Sequence, residues 1–371
     1  MSSMGPAGTD ETAFTWRSGT PEEQGFRSAA RDTAVKALAE RGTHALLIIR
    51  RDQLVTEWYA PGWHARRRHY SASLAKALVG GMTLLVGMSG GGALRAMEED
   101  DPAARYVAQW AEDALKSRIT LRHLATHSSG LEDAEVGGLP HTALPGWKGQ
   151  FWRRDPKPFL IARDQAPVRF PPGTQYAYSN PGLGMLGYCV TAALRDTPQP
   201  DLWSVMRDCI FRPIGVADAE WSIGYGVAYL TDGLQLYATW GGGEFTALAV
   251  ARVGRLMLHS GTWNGQRVVD PLSVRQALDG APVPLPDRTA DPSAPMSGLA
   301  WYLNVDGIWP TVPRDAFAGA GAGHQVLLVA PSLELIIVRN GANLAPELPF
   351  WTAVTRHLFD PLMAALRRQE S

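Results

Sequence analysis

The sequence predicts an α+β fold: an antiparallel sheet built from both chain ends and flanked by helices, with a large, mostly helical subdomain inserted between the two halves. Three observations carry that reading. β-rich runs joined by turn residues occur near residue 50 and again near residue 330. The long stretch between them follows helical periodicity. At 371 residues the chain also exceeds what one small core organises, and length alone suggests two subdomains.

Taken in order, Arg27 to Arg41 places apolar residues at helical spacing with charges between them and reads as a helix. "THALLIIRRDQLVTEWYAPG" follows, two β-rich runs split by the polar Arg-Arg-Asp-Gln turn of a hairpin. An apolar helix begins near Ser73. From there to about residue 290 the patterns are mostly helical, broken by loops rich in Pro, Gly and Trp. "HQVLLVAP" and "LELIIVRNG" form a second hairpin around Pro331-Ser332, and Pro349 to Arg368 reads as a closing helix. The expected division is a 1–26 extension, a sheet subdomain from 27–76 and 295–371, and a helical subdomain over 77–294. A cleft at the junction of the two subdomains is the expected binding site.

Composition narrows the functional classes. Hydrophobic residues make up 45% and charged residues 19% of the chain, as in ordinary globular proteins. A net charge of −1 leaves no electrostatic footprint for nucleic acid or an anionic membrane. The triplet Arg66-Arg67-Arg68 reads as a solvated loop. Two cysteines, Cys189 and Cys209, build no disulfide framework and read as reduced core residues. "MSSMGPAGTDETAFTW" lacks the basic and apolar regions of an export signal, so a cytoplasmic location is expected. The uncharged stretch from Ala77 to Leu94 contains six glycines and reads as a buried helix and turn rather than a membrane span.

Within that stretch's N-terminal flank lies the most informative residue. Only five of the 35 basic residues are lysine (Lys36, Lys76, Lys116, Lys148 and Lys157), and Lys76 sits alone in the apolar run "SASLAKALVGGM". Ser73-Leu74-Ala75-Lys76 spells S-x-x-K. On a helix, positions three apart share a face, so hydroxyl and amine can meet. A serine hydroxyl needs a base to become a nucleophile. Desolvation lowers a lysine's pKa towards neutrality, and arginine cannot play that part. If Ser73 opens the helix, the macrodipole favours its alkoxide. Downstream, "FPPGTQYAYSNPGLGMLG" contains Tyr178-Ser179-Asn180, a Y-x-N pattern in a loop set by turn residues. The tyrosine can relay a proton, and the asparagine amide can bond both the lysine and a substrate carbonyl. A second Y-x-N, Tyr302-Leu303-Asn304, reads as structural strand.

Together these motifs resemble the serine β-lactamase and penicillin-binding family, in its class C-like branch with tyrosine in the second motif. "DDPAARYVAQW", "ITLRHLATHSSGLED", "GLAWYLN" and "GAGAGHQVLLVAPSLELIIVRNG" extend the resemblance over roughly residues 40 to 345. The resemblance implies Ser73 as acylated nucleophile, Lys76 with Tyr178 as general base system, and Asn180 orienting substrate. It further implies an oxyanion hole from the Ser73 N–H and an edge-strand N–H near Gly319. One departure stands out. The family's third motif is normally K-T-G or H-x-G, and here the matching stretch is Ala316-Phe317-Ala318-Gly319-Ala320-Gly321, with His324 past the cleft-facing position. Without that cation, strong β-lactam activity is not expected, and the esterase and amide-hydrolase members are nearer in character. The weaker alternatives are a feeble β-lactamase, a D-amino-acid peptidase or a non-catalytic binding member.

The expected substrate is a small-molecule ester or amide, with no organic cofactor, no metal, no nucleic acid and no membrane partner, and with the oligomeric state open. Trp147, Trp152 and Trp240 fit a cleft wall and core packing equally well, with Trp152 and Trp240 the substrate-binding candidates, and "GWKGQFWRRDPKPF" is expected as a lid or specificity loop. Gly87-Met88-Ser89-Gly90-Gly91 is formally a nucleophile elbow, but it ends an apolar helix, so a glycine turn is the plainer reading. His123 and His127 have the spacing of a zinc pair but lack the accompanying glutamate.

Overall fold

The computed structural model describes residues 14–89, 97–279 and 283–367. Its central sheet runs, in chain order, through β1 (Arg17–Ser18), β2 (Thr43–Arg50), β3 (Gln53–Tyr59), β4 (Met296–Ser297), β5 (Tyr302–Leu303), β6 (Phe317–Gly321), β7 (Gln325–Ala330) and β8 (Leu335–Gly341). The spatial order is β1-β3-β2-β8-β7-β6-β5-β4. Strands from the two ends of the chain therefore meet at the β2–β8 seam, where Leu47 lies opposite Val338 and Arg50 opposite Leu335. All pairings are antiparallel except β1 with β3, which is parallel, so the sheet is mixed.

β2 reads as a continuous apolar run because both of its faces are covered. Ala45, Leu47 and Ile49 enter one core with the helices of the central segment. Leu46 and Ile48 enter a second core with Phe26, Leu38, Leu358 and Leu362 from helices near the two ends. On the first face the helix Ala247–Leu258 presses on β7 and β8, with Gly254 where a Cβ would lie 2.9 Å from Leu327 Cδ1. The expected first helix is Ser28–Glu40, and the first hairpin turns through Arg51 and Asp52, both at positive φ. The central segment is less uniformly helical than its pattern predicts. It holds a hairpin (Ala228–Thr231 with Leu234–Tyr237), a three-stranded sheet (His69–Tyr70, Glu244–Phe245, Trp221–Ser222) and a short pair at Thr262–Trp263 and Gln266–Arg267. Strands of two to four residues are too short for alternation to register as a pattern. Cys189 is buried, whereas Cys209 is only half-buried. No helix among the described residues is long and apolar enough to cross a membrane.

Arg339 on β8 is fully buried, yet makes no ion pair among the described residues. Its guanidinium donates to Gly323 O (2.6 Å), His324 O (2.9 Å), Ala342 O (2.7 Å) and Thr43 Oγ1 (3.1 Å). One side chain thus binds the turn between β6 and β7 to the β2–β8 seam. Burial pulls its pKa down to about 9. Replacing Arg339 by Met leaves the buried His324 carbonyl and Thr43 hydroxyl, and the part-buried Gly323 and Ala342 carbonyls, without this donor, and each buried loss costs about 1–3 kcal/mol. Denaturant unfolding of R339M should show a stability loss of roughly 3 kcal/mol or more. A loss under ~0.5 kcal/mol, the range of ordinary surface changes, would contradict this account of the turn.

Candidate active site

Ser73 lies on a tight entry into a buried helix. The chain leaves the strand His69–Tyr70, passes Ala72 at φ 47°, and forms a 3₁₀ turn over Ala72–Leu74. Wider π-type turns over Lys76–Gly81 and an α-helix over Met82–Met88 continue it. Ser73 is thus inside the first turn rather than the cap, and Lys76 stands one turn further on the same side. Ser71 ties this turn to the segment across the cleft: its Oγ donates to Gly242 O (2.6 Å) and its N–H to Gly243 O (3.1 Å). That brings the Trp240 carbonyl over Lys76.

Tyr178 and Asn180 arrive from the start of the helix Asn180–Leu194. Ser179 caps this helix, its Oγ accepting from Gly182 N–H (2.9 Å). The helix is buried on nearly all sides, and Gly184 and Gly187 let Trp240 and Thr239 approach it closely. His127, at φ 59°, stacks on the Tyr178 ring (4.5 Å between centroids), and its Nδ1 accepts from Ser179 N–H (3.2 Å). Asp133 Oδ1 accepts from Asn180 N–H (2.8 Å) and Asn180 Nδ2 (3.0 Å). The amide nitrogen of Asn180 therefore faces Asp133, and its oxygen is left to face Lys76.

The four predicted polar groups meet. Lys76 Nζ is 3.0 Å from Ser73 Oγ and 2.8 Å from Asn180 Oδ1, and it also bonds Trp240 O. Tyr178 Oη donates to Ser73 Oγ at 2.7 Å, and Lys76 Nζ lies 4.6 Å from the Tyr178 ring centroid. The ammonium form donates to all three acceptors. In the neutral form the amine keeps two N–H groups and one lone pair. The Trp240 and Asn180 oxygens can only accept, so they hold the two N–H groups. The lone pair is left facing the Ser73 hydroxyl, the one partner able to turn and donate. Burial lowers the Lys76 pKa to about 7, against the opposing pull of Asp133 and Glu135. Burial drives Tyr178 well above 10, so its phenol stays protonated. His127 is pushed down to about 3, by burial first and then by Lys76, and is neutral.

Ser73 opens onto two cavities. One, of about 370 Å³, is lined by Tyr70, Trp152, Arg154, Tyr225, Trp240 and Asn180 among others. The second, of about 530 Å³, is lined by Tyr176, Tyr178, Tyr302, Pro286, Phe350 and Trp351 among others. Ser73, Glu135 and Ala322 line both and so mark their junction. Trp152 and Trp240 line the first cavity, Trp240 being at the same time a fully buried core residue, while Trp147 packs against the core. "GWKGQFWR" is a helix, Gly146–Arg153, not a loop, and contributes Phe151 and Trp152 from one side.

Gly319 is not at the junction. A Cβ there would lie 2.7 Å from Leu74 Cδ1 and 2.9 Å from Ala77 Cβ, so it faces the packed helix. Gly321 is the close one: a Cβ would fall 2.4 Å from Ser71 O and 2.8 Å from Ser73 N. Asn304 N–H donates to Ala316 O (2.9 Å), which makes the even-numbered residues of β6 those whose backbone groups face away from β7. Beyond the end of β5 these groups open onto the cleft. The edge-strand position beside Ser73 is accordingly Ala320–Ala322, not Gly319. Composition hides this offset, because "AFAGAGAGH" offers no unique anchor for register.

Sequence reading missed Asp133, Glu135, His127 and Tyr302, all around the site. Asp133 and Glu135 stand in "HSSGLEDAE", where nothing separates them from surface acids. Tyr302 lines the second cavity, although Asn304 of the same tripeptide is structural, holding the Trp309, Val312 and Pro313 backbone. His324 stacks on Phe350 and accepts from Leu344 N–H. Ser89 donates to Leu85 O and accepts from Asp270 N–H, closing a helix; Gly90 and Gly91 lie outside the described residues. His123 and His127 do not share a helix face, since the helix ends at Ala125.

The beta-lactamase family profile matches residues 31–343 of the chain. The 6-aminohexanoate-dimer hydrolase of Paenarthrobacter ureafaciens is 24% identical over 355 residues, 90% of this chain and 82% of that protein. A beta-lactamase-like protein, str5, of Strobilurus tenacellus is 29% identical over 115 residues, 26% of this chain; the match spans 41% of that protein's length. Among solved structures, a family VIII carboxylesterase superposes with a TM-score of 0.65 at 15% identity, covering 90% of this chain and 97% of the other, a likeness of fold.

With only five lysines, the Lys76 ¹³Cε resonance can be followed directly by NMR. It should titrate near pH 7, and Asp133→Asn should move it lower, because removing a neighbouring negative charge disfavours the ammonium. Titration near 10 would show the amine to be solvated and charged.

Proposed function

The chain belongs to the beta-lactamase family, and from that membership we propose a hydrolase that cleaves an ester or amide bond through an acyl-enzyme on Ser73. The observation that carries the reading is the Lys76 lone pair, left facing the Ser73 hydroxyl by two acceptor-only partners. Ser73 Oγ attacks the substrate carbonyl carbon while its proton passes to Lys76 Nζ. The carbonyl oxygen becomes an oxyanion. The Ser73 and Ala322 N–H groups have no backbone acceptor among the described residues and are the donors assigned to it. As the C–O or C–N bond breaks, the leaving oxygen or nitrogen takes a proton from Tyr178, which is replenished from Lys76. Water then adds to the acyl carbon, giving its proton to the same pair, and Ser73 leaves as the hydroxyl.

Tyr178 lines only the second cavity, so the leaving group departs on that side and the acyl group lies in the first, beside Asn180. Relatives named as an amide hydrolase and a carboxylesterase support both bond types. The matching third-motif stretch carries no cation, which disfavours β-lactams.

Intact-mass spectra with activated esters should show one acyl adduct, on Ser73, and none in Ser73→Ala. Lys76→Ala and Lys76→Arg should be equally inactive, because neither offers a lone pair. Tyr178→Phe should lose about 10²–10⁴-fold in kcat/KM. Since the neutral amine is the base, kcat/KM should fall as pH drops through about 7. Full activity in K76R, or an adduct on another side chain, would end this reading.

A further inference from the structure

The first cavity contains a cation that the mechanism does not use. Arg154 closes the helix Gly146–Arg153 in the left-handed conformation (φ 61°, ψ 32°), with its N–H bonded to Phe151 O (3.2 Å). From this position its side chain, although exposed, lines the cavity that holds Ser73. Its guanidinium carbon lies 5.0 Å from the Tyr225 ring centroid. Its charge also acts on the phenols of Tyr70 and Tyr229, drawing their pKa values down against the larger upward push of burial. Among the described residues no carboxylate pairs with it. Tyr70 is 51% exposed and lines the same cavity, with its hydroxyl hydrogen-bonded to the Tyr225 side chain and the Gly242 backbone.

The other polar side chains beside it that can carry charge are Glu135 and His141, whose Oε1 and Nε2 lie 3.3 Å apart. Glu135 also reaches Asn180 Nδ2 at 3.5 Å and lines both cavities, which puts it at the Ser73 end. Arg154 lines the first cavity and not the second. The acyl side is therefore walled by an acid shared with the junction, by Trp152 and Trp240, and by a guanidinium that no carboxylate among the described residues pairs.

We propose that Arg154, with Tyr70 and Tyr225, forms an anion subsite on the wall of the acyl cavity. The substrates it selects are linear acyl groups ending in a carboxylate, that is, half-esters or half-amides of dicarboxylic acids. The proposal rests on the Ser73 acyl-enzyme reading. A planar guanidinium flanked by phenols binds a carboxylate with directed, charge-assisted bonds. The apolar walls between suit a methylene chain.

The test is a series of mono-p-nitrophenyl esters of succinate, glutarate, adipate and suberate, each beside its ω-methyl ester. The ratio of kcat/KM for acid over methyl ester should be about tenfold or more at one favoured length. It should fall to near one in Arg154→Gln and be partly kept in Arg154→Lys. Arg153→Gln, whose side chain does not line the cavity, should keep the ratio. A ratio near one at every length, a ratio unchanged in R154Q, or a preference for ω-ammonium acyl groups would overturn the subsite. Mass spectra separate the two failures: Ser73 acylated without carboxylate preference sinks only the subsite. No Ser73 adduct from any ester sinks both.

Discussion

The site depends on one enforced shortage of donors and acceptors around a buried amine. Lys76 is 3% exposed and has three oxygen partners, enough for an ammonium and one too many for an amine. Taking a charged ammonium out of water costs several kcal/mol, and the bonds to Trp240 and Asn180 offset part of that. Burial brings the lysine's pKa down to about 7, so both of its protonation states are accessible near neutrality. Each supporting group maintains this balance. Asp133 fixes which end of the Asn180 amide points inward. Ser71 holds the 240–243 segment in place. His127, kept neutral, supports Tyr178 without adding a competing charge.

The second constraint is steric. A strand edge passes so near the Ser73 turn that only glycine allows the distance. At Gly321 any side chain would run into the backbone at Ser71 and Ser73. The strand is placed from outside the cleft, by Arg339 gripping the turn that follows it. Fold and chemistry are joined here: a buried arginine on the sheet seam sets where a backbone donor stands.

Much of this was legible in residues alone. S-x-x-K and Y-x-N are short, but each names side chains whose chemistry fits only if they meet, and Ser73, Lys76, Tyr178 and Asn180 do meet. The hairpins at both ends were readable because turn residues punctuate runs long enough to show a pattern. What was not legible is what depends on register or burial. Gly319 and Gly321 are chemically identical in the sequence, and only the hydrogen-bond alternation of β6 tells them apart. Asp133 resembles any surface acid until the fold encloses it. Arg154 sits in "FWRRDP" beside another arginine, and only its left-handed backbone separates the two.

The seam between β2 and β8 joins residues almost three hundred positions apart. Closing so long a loop is entropically costly, and contacts of this span form late. During synthesis the serine-bearing turn leaves the ribosome well before the strand that completes its surroundings. For most of translation the nascent polypeptide therefore holds that turn with no partner edge, and its apolar central segment lacks the cover that β6 to β8 give it, the kind of exposure that makes a long chain prone to misassembly.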